Sequence, residues 1–383
     1  MVRRFCVMGD SEDVWSDISD SEFLSIQLDE IDEPCVSGAQ SHGNEEPCAG
    51  RSPETSPQKA ARAALKQIWS RSPLKRRRVS LYSMNPLEYF RRRHLSVTLL
   101  CEQSWCEVKV VCGLLRPLDK KAEMARPEVK MGAEIHLKKA LEVHEEVPIL
   151  VLSREDDEAV RALNVMQKIV TLETGMCVRE FPVFGVLEGV FVMGFIDELS
   201  YDERGQLVLS ELKTRRQMSI PRPAQIKRDG LQVRLYMLLF NGMISGSVSK
   251  SDITDHLGLQ AGRALGTDVL NHARAMGVQA DTFGTLLEVM LRRLALSNVR
   301  PPAHLRLQYC HQGSGDPIGT EDVPFEEPAL RAELQGYLAY WTGNREARGV
   351  DIEDAWKCQS CHYQASCEWK KNNFPTAHSH EKP

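Results

Sequence analysis

The chain has 383 residues, 42% of them hydrophobic, which is enough to bury the core of one large or two smaller domains. Its eleven cysteines follow no even secretory spacing, and no apolar run approaches the roughly 20 residues that span a bilayer. These features exclude a disulfide-rich secreted protein and a membrane-spanning protein, so we expect a soluble intracellular protein with reduced or metal-bound thiols. The net charge of −5 gives no overall support for nucleic-acid binding, and any basic groove must be local.

Residues 1–80 are predicted to form a disordered tail that is first acidic and then basic. Residues 1–50 carry two arginines against twelve Asp/Glu, a charge of −10, whereas residues 51–80 carry nine Lys/Arg against one Glu, a charge of +8. The mixture of acidic and hydrophobic residues from Trp15 to Ile26 is typical of a segment that folds on a protein partner, and an inert acidic tail explains it equally well. The basic run Lys75–Arg78 predicts nuclear import, with a further cytoplasmic pool, although such a run also suits phosphate binding.

A regular pattern begins at Asn85 and predicts an α/β core, because the order is helix, three strands and helix. The predicted helices are Ser96 towards Gly113, Met131–His144, Val160–Leu172, Ala224–Asn241, most of 250–300, and Pro328–Trp341. The predicted strands are Val183–Leu187, Gly189–Leu199, Gln206–Thr214 and His304–Tyr309.

The stretch between residues 194 and 213 is predicted to be a β-hairpin that brings two carboxylates and a lysine together. With a three-residue loop that ends at a left-handed Gly205, Asp197 lies directly opposite Glu211. Directly opposed Cβ atoms are about 5 Å apart, and Lys213 returns to the same face two residues beyond Glu211. This group suits a Mg²⁺ site for phosphoryl chemistry, because Mg²⁺ takes one or two protein carboxylates and keeps positions for water and phosphate. A solvated hairpin with a cross-strand charge pair is the alternative interpretation.

Three cysteines within ten residues, Cys358, Cys361 and Cys367, predict a metal site near the C-terminal end. A fourth ligand is missing from this stretch. His362 is a local candidate with awkward geometry, because it directly follows a ligand. A distant cysteine would instead tie the two ends of the fold together, and the candidates are Cys101, Cys106 and Cys112. Four thiolates suit zinc and a [4Fe–4S] cluster equally.

Five short motifs stand in order between residues 85 and 372. They are Gly132-x-x-x-His136, Gly194-Phe-Ile-Asp197, Glu211-Leu-Lys213, Gln232-x-x-x-Tyr236, and Cys106 followed by Cys358-x2-Cys361-x5-Cys367. Each motif alone is weak, but their order and spacing together resemble the exonuclease V family of PD-(D/E)xK nucleases, in its vertebrate-like form. Residues 1–80 lie outside this resemblance.

The resemblance implies a Mg²⁺- or Mn²⁺-dependent exonuclease that degrades single-stranded DNA to short products in DNA repair and genome maintenance. Its implied metal ligands are His136, Asp197 and Glu211, with the carbonyl of Leu212 as a further oxygen. Lys213 would orient the attacking water or offset charge on the phosphate. Gln232 and Tyr236 would position the lysine and the DNA strand. The catalytic residues that the motifs imply are therefore Asp197, Glu211, Lys213, Gln232 and Tyr236. The implied ligands of a [4Fe–4S] cluster are Cys106, Cys358, Cys361 and Cys367.

The fold that the resemblance implies is an α/β PD-(D/E)xK nuclease core, a mixed central sheet flanked by helices, with helical insertions. The cysteine cluster would join the C-terminal end to the N-terminal helical segment. The expected domains are a tail over 1–80, the nuclease over 85–372 and a second disordered tail over 373–383. Basic residues past the hairpin are candidate phosphate contacts or simply solvated charges: Arg215, Arg216, Arg222, Lys227 and Arg228.

The expected partners are single-stranded DNA and, through the N-terminal tail, a single-strand-binding protein or repair partner. We expect a monomer that does not associate with membranes. The competing interpretation is a non-catalytic scaffold or single-stranded nucleic-acid-binding protein with a structural zinc or iron–sulfur site. The intact set of Asp197, Glu211 and Lys213 argues against that alternative.

Overall fold

A mixed six-stranded sheet forms the centre of the fold in the computed structural model, which describes residues 2–7, 85–143 and 145–374. A separate two-stranded antiparallel sheet pairs the first strand with the third. The strands are β1 Val2–Val7, β2 Leu95–Ser96, β3 Glu145–Leu150, β4 Val178–Leu187, β5 Val190–Tyr201, β6 Leu207–Arg215, β7 His304–His311 and β8 Pro317–Asp322.

The central sheet has the order β2-β5-β6-β7-β8, with β4 paired to the other edge of β5. Two pairs, β2 with β5 and β6 with β7, are parallel, and the remaining pairs are antiparallel. Because β4 follows β5 along its length, β2 and β6 must share the opposite edge. There β2 pairs with Val192 and Met193, and β6 pairs with residues 198–201. Residues 194–197 therefore have no paired strand on this edge of β5, because they lie between the part paired with β2 and the part paired with β6. Side chains in this gap are free to form a functional site.

Helices pack around this sheet, and the two longest, α6 (Arg154–Glu173) and α7 (Pro223–Ile244), both contact β4. A T-shaped contact between Phe181 of β4 and Phe240 of α7, with ring centroids 5.3 Å apart, lies in the core. Within the described residues, no helix is both long and apolar enough to cross a membrane. The helices are α1 Pro86–Tyr89, α2 Val97–Trp105, α3 Glu107–Leu115, α4 Pro117–Met124, α5 Pro127–Leu141, α6 Arg154–Glu173, α7 Pro223–Ile244, α8 Lys250–Leu257, α9 Thr267–Ala275, α10 Phe283–Ala295, α11 Glu327–Trp341, the 3₁₀-helix Ile352–Cys358, and α12 Glu368–Asn373.

The helix predicted from Ser96 begins as expected but does not continue to Gly113. The Ser96 hydroxyl accepts a hydrogen bond from the Leu99 amide at 3.1 Å and caps α2. The helix then ends at Trp105, because Cys106 is extended, with φ −168° and ψ 107°, and serves as the junction between α2 and α3. The prediction of one continuous helix was wrong. The break could not be seen in the sequence, because neither glycine nor proline marks it.

The sequence also missed four strands, and each has weak strand chemistry or lies outside the regular pattern. Strand β3 contains a proline and two glutamates, β8 is mostly polar, and β2 has only two residues. Strand β1 lies within the tail that was predicted to be disordered, so residues Val2–Val7 depart from that prediction. The partner segment from Trp15 and the basic run Lys75–Arg78 lie outside the described residues.

Candidate active site

The predicted hairpin has the expected register. Tyr201 pairs with Leu207, and Gly205 has a φ of +70°, which only a residue without Cβ adopts easily. The ladder runs to Glu198 and Ser210, so Asp197 and Glu211 are the next opposed pair. Beyond this ladder the Leu212 amide donates its hydrogen bond to a side chain, Asp197 Oδ2, at 2.8 Å.

Lys213 lies at the centre of a chain of hydrogen bonds that includes both residues predicted to position it. Its ammonium donates to Glu211 Oε1 at 2.7 Å and to Gln232 Oε1 at 2.6 Å. The Gln232 amide in turn donates to the Tyr236 hydroxyl at 2.9 Å. The geometry thus brings Gln232 and Tyr236 of α7 to the lysine of β6.

Gly194 makes this arrangement possible, because its missing side chain leaves room for Tyr236. A Cβ at this position would lie 2.8 Å from Tyr236 Cε1, closer than real contacts allow, and 3.1 Å from Val97 Cγ2, which is a tight contact. Gly132 has a similar role on α5, where a Cβ would lie 3.0 Å from Thr214 Oγ1 of β6. The glycine therefore lets α5 approach the sheet and bring its histidine to the site.

His136 of α5 lies against Asp197, with 3.4 Å between His136 Nδ1 and Asp197 Oδ1. Burial would lower the pKa of His136, but the charges and hydrogen bond of the surrounding carboxylates, chiefly Asp197, raise it to about 9. Burial would likewise raise the pKa of Asp197, but His136, Lys213 and the Leu212 amide hold it below its usual value. The ion pair is therefore formed at neutral pH in the absence of a metal.

Glu180 of β4 is a site residue that the sequence reasoning missed. The β4–β5 register pairs Arg179 with Glu198 and Phe181 with Ile196, which places Glu180 opposite Asp197. Ligand atoms of Glu180, His136 and Asp197 all lie within 4.8 Å of one another. The strand was predicted to begin only at Val183, so no local pattern indicated that Glu180 faces the site.

The carboxylates of the site repel one another, and their protonation reflects this. Burial, followed by the charge of Asp197, raises the pKa of Glu211 to about 8. The same two causes raise the pKa of Glu180 to about 7. Glu211 is only 2% exposed, and its Oε2 has no hydrogen-bond partner. A buried carboxylate oxygen without a partner, beside two other carboxylates and an imidazole, is the donor set that a divalent cation requires.

Two of the basic residues beyond the hairpin form ion pairs within the protein. Arg216 Nη1 lies 2.8 Å from Glu128 Oε1, and Arg228 Nη2 lies 2.7 Å from Asp229 Oδ1. The Arg216 pair is well exposed, so a phosphate could compete for this arginine. Their role as phosphate contacts stays a prediction.

The cysteine cluster lies apart from the carboxylate site, in a pocket between α3 and the C-terminal segment. Cys106, Cys358, Cys361 and Cys367 all line this pocket, and Cys112 lines it as well. Burial and the three C-terminal thiols raise the pKa of Cys106 to about 11.

The two remaining candidates for the fourth ligand lie elsewhere. Cys101 is buried at 4% exposure, where the charges of Lys213 and Arg228 act on it. His362 is exposed, with its Nδ1 3.5 Å from Arg126 Nη2. Cys106 thus shares a pocket with the three C-terminal cysteines, as Cys112 does, and the choice of Cys106 as the fourth ligand stays a prediction.

Comparison with known proteins identifies the family of this chain. The family described as "Exonuclease V - a 5' deoxyribonuclease" matches residues 85–207, 201–289 and 271–370. A zebrafish (Danio rerio) protein named Exonuclease V is 48% identical over 369 residues, which cover 94% of each chain. A crystal structure of SSO0001 aligns with 76% of this chain and 95% of its own, at 11% identity and a TM-score of 0.36, a likeness too low to support an argument. The chain belongs to the exonuclease V family.

Proposed function

We propose that this protein is a divalent-cation-dependent 5′ exonuclease that degrades single-stranded DNA to short products, built on a PD-(D/E)xK core and acting in DNA repair. The observation that carries the proposal is the convergence of His136, Asp197 and Glu211 with Lys213 at the gap in the sheet. Family membership supports exonuclease activity on DNA. The partial exposure of His136 and Asp197 leaves the site accessible to a substrate.

The residues of the site have two roles: some would bind a cation, and others would stabilise negative charge on the phosphate. Asp197, Glu211 and His136 would hold Mg²⁺ or Mn²⁺, which supplies a Lewis acid and an activated water for phosphodiester hydrolysis. The Lys213 ammonium is charged, because Glu211 and Asp229 raise its pKa despite its burial. From its position beside Glu211 it can offset negative charge on the phosphate. Gln232 and Tyr236 fix its direction, so the charge does not have to reorganise during the reaction.

The test is hydrolysis of single-stranded DNA by Asp197→Asn, with Mg²⁺ present. Asparagine keeps an oxygen that can accept the Leu212 amide, so the hairpin should persist while the carboxylate is lost. Glu203→Gln, at an exposed turn position of the same hairpin, is the matched control and should keep full activity. Retained hydrolysis in Asp197→Asn would overturn the proposed site. A wild-type protein that binds the DNA without hydrolysing it would instead support the non-catalytic alternative.

We also propose that the four cysteines hold a [4Fe–4S] cluster. Cys106, Cys358, Cys361 and Cys367 line one pocket, and this shared pocket supports the proposal. Four cysteine thiolates are the usual ligand set of such a cluster.

Cellular location and protein partners are proposals from the N-terminal tail alone. We propose nuclear import through Lys75–Arg78 and a protein partner on the segment that begins at Trp15. Removing residues 75–78 should shift a fluorescently tagged protein to the cytoplasm, and unchanged nuclear accumulation would reject the import role.

A further inference from the structure

Three carboxylates form one row across three neighbouring strands. The strand pairs on either side place Glu180 of β4 opposite Asp197 of β5, and continuing the β5–β6 register by one pair places Glu211 of β6 on the other side of Asp197. Directly opposed residues are about 5 Å apart, so the row places Asp197 between two glutamates that are roughly twice that distance from each other. One central carboxylate with a further carboxylate on each side is an arrangement that can serve two cations.

The distances divide the row into two groups. Glu180, His136 and Asp197 place three ligand atoms within 4.8 Å of one another, whereas Glu211 lies outside that group. Glu211 instead uses Oε1 to bind Lys213 and leaves Oε2 buried without a partner. A buried oxygen without a partner is an observation independent of the group around His136, and it indicates that Glu211 can bind a cation of its own.

The backbone at Glu180 is held in a conformation that turns it out of the regular strand. Its φ is +51°, in the left-handed region that a residue with a side chain adopts only when its surroundings impose it. Lys168 of α6 provides that constraint, because its buried ammonium donates to the carbonyls of Arg179 at 2.8 Å and Glu180 at 2.6 Å. The ladder resumes on both sides, at Arg179 and at Phe181. Lys168 therefore maintains a local irregularity at the β4 residue that faces Asp197.

We propose that Glu180 is a ligand of a second divalent cation, which shares Asp197 with the cation at Glu211, and that Lys168 is the positioning residue that holds Glu180 in place. This inference rests on the proposed nuclease function, because it assigns a further ligand to the same site. One cation would bind at the site formed by His136, Glu180 and Asp197. The other would bind at the site formed by Asp197, Glu211 and the Leu212 carbonyl.

The test measures Mn²⁺ binding to the DNA-free protein by calorimetry and electron paramagnetic resonance. The wild type should bind two Mn²⁺ ions that show magnetic coupling, and Glu180→Gln should bind one ion without coupling. Lys168→Met should weaken the same ion at least tenfold while the other stays unchanged. Glu188→Gln is the matched control, because Glu188 is an exposed glutamate on the same β4–β5 hairpin and also has a positive φ, +47°. It should bind both ions as the wild type does.

A wild type that binds a single ion at this site, or a Glu180→Gln variant that binds both ions unchanged, would overturn the proposal. If Lys168→Met does not fold, Glu180→Gln alone decides the test. This variant should fold, because glutamine has the same size as glutamate. The result is also separable from the nuclease proposal. Loss of one ion in Glu180→Gln supports the second cation site even if the wild type hydrolyses no DNA, and two ions in an active Glu180→Gln enzyme reject that site while the nuclease stands.

Discussion

Cation binding at this site should release protons, and the number is set by the pKa values of three side chains. At pH 7 the metal-free protein holds a proton on His136, most of one on Glu211 and about half of one on Glu180, because their pKa values are raised to about 9, 8 and 7. A ligand must give up its proton before it can bind a cation. Filling the site should therefore release about two and a half protons at pH 7.

The pH dependence has a definite sign. All three pKa values lie above the usual range of the group, so the protons are held at low pH and are lost as the pH rises from 6 to 10. At pH 9 about half a proton remains, nearly all of it on His136. Removing the protons of His136 and Glu211 at pH 7 costs about 4 kcal/mol, and this cost disappears towards pH 10. Cation affinity should therefore rise steeply over this interval.

Isothermal calorimetry of Mg²⁺ binding without DNA, in two buffers that differ in ionisation enthalpy, measures the proton count directly. Glu211→Gln should release about one proton fewer at pH 7, because glutamine does not titrate. Glu203→Gln, exposed at the hairpin turn, should match the wild type. Release of less than one proton at pH 7, or an equal number at pH 7 and pH 9, would refute the assignment of these side chains as cation ligands.

Three further outcomes follow from the same contacts. Lys213→Met should lower kcat on single-stranded DNA by about 10²–10³-fold, because the charge that faces the phosphate is lost, and an unchanged kcat would contradict its role. Gly194→Ala should reduce the free energy of unfolding in urea by about 1–3 kcal/mol, because its Cβ would overlap Tyr236. Gly336→Ala, where nothing lies within 4 Å, is its control and should not destabilise the protein. Cys361→Ala should remove the visible absorption expected of anaerobically purified protein, whereas a colourless, zinc-loaded and active wild type would favour zinc.

Local chemistry made the hairpin predictable. The turn depends on Gly205 and on Asp202, whose Oδ1 accepts the amides of Arg204 and Gln206, and all of these residues are neighbours in the chain. Once the turn was placed, the period of two along each strand brought Asp197 opposite Glu211 and put Lys213 on the same side. Helices α5, α6, α7 and α11 were likewise predicted from their spacing, with errors of up to six residues at their ends.

Contacts between distant parts of the chain were decided only by the tertiary structure. His136 was named from a motif, but its place against Asp197 depends on the approach of α5 to the sheet at Gly132. The break at Cys106 has no glycine or proline to mark it. The left-handed backbone at Glu180 has no local signal either, because the lysine that stabilises it, Lys168, lies on α6. Sequence by itself therefore determined which carboxylates share the hairpin. The fold alone decided that Glu180, held by a lysine of α6, completes their row, since a hydrogen bond between elements leaves no periodic trace in either one.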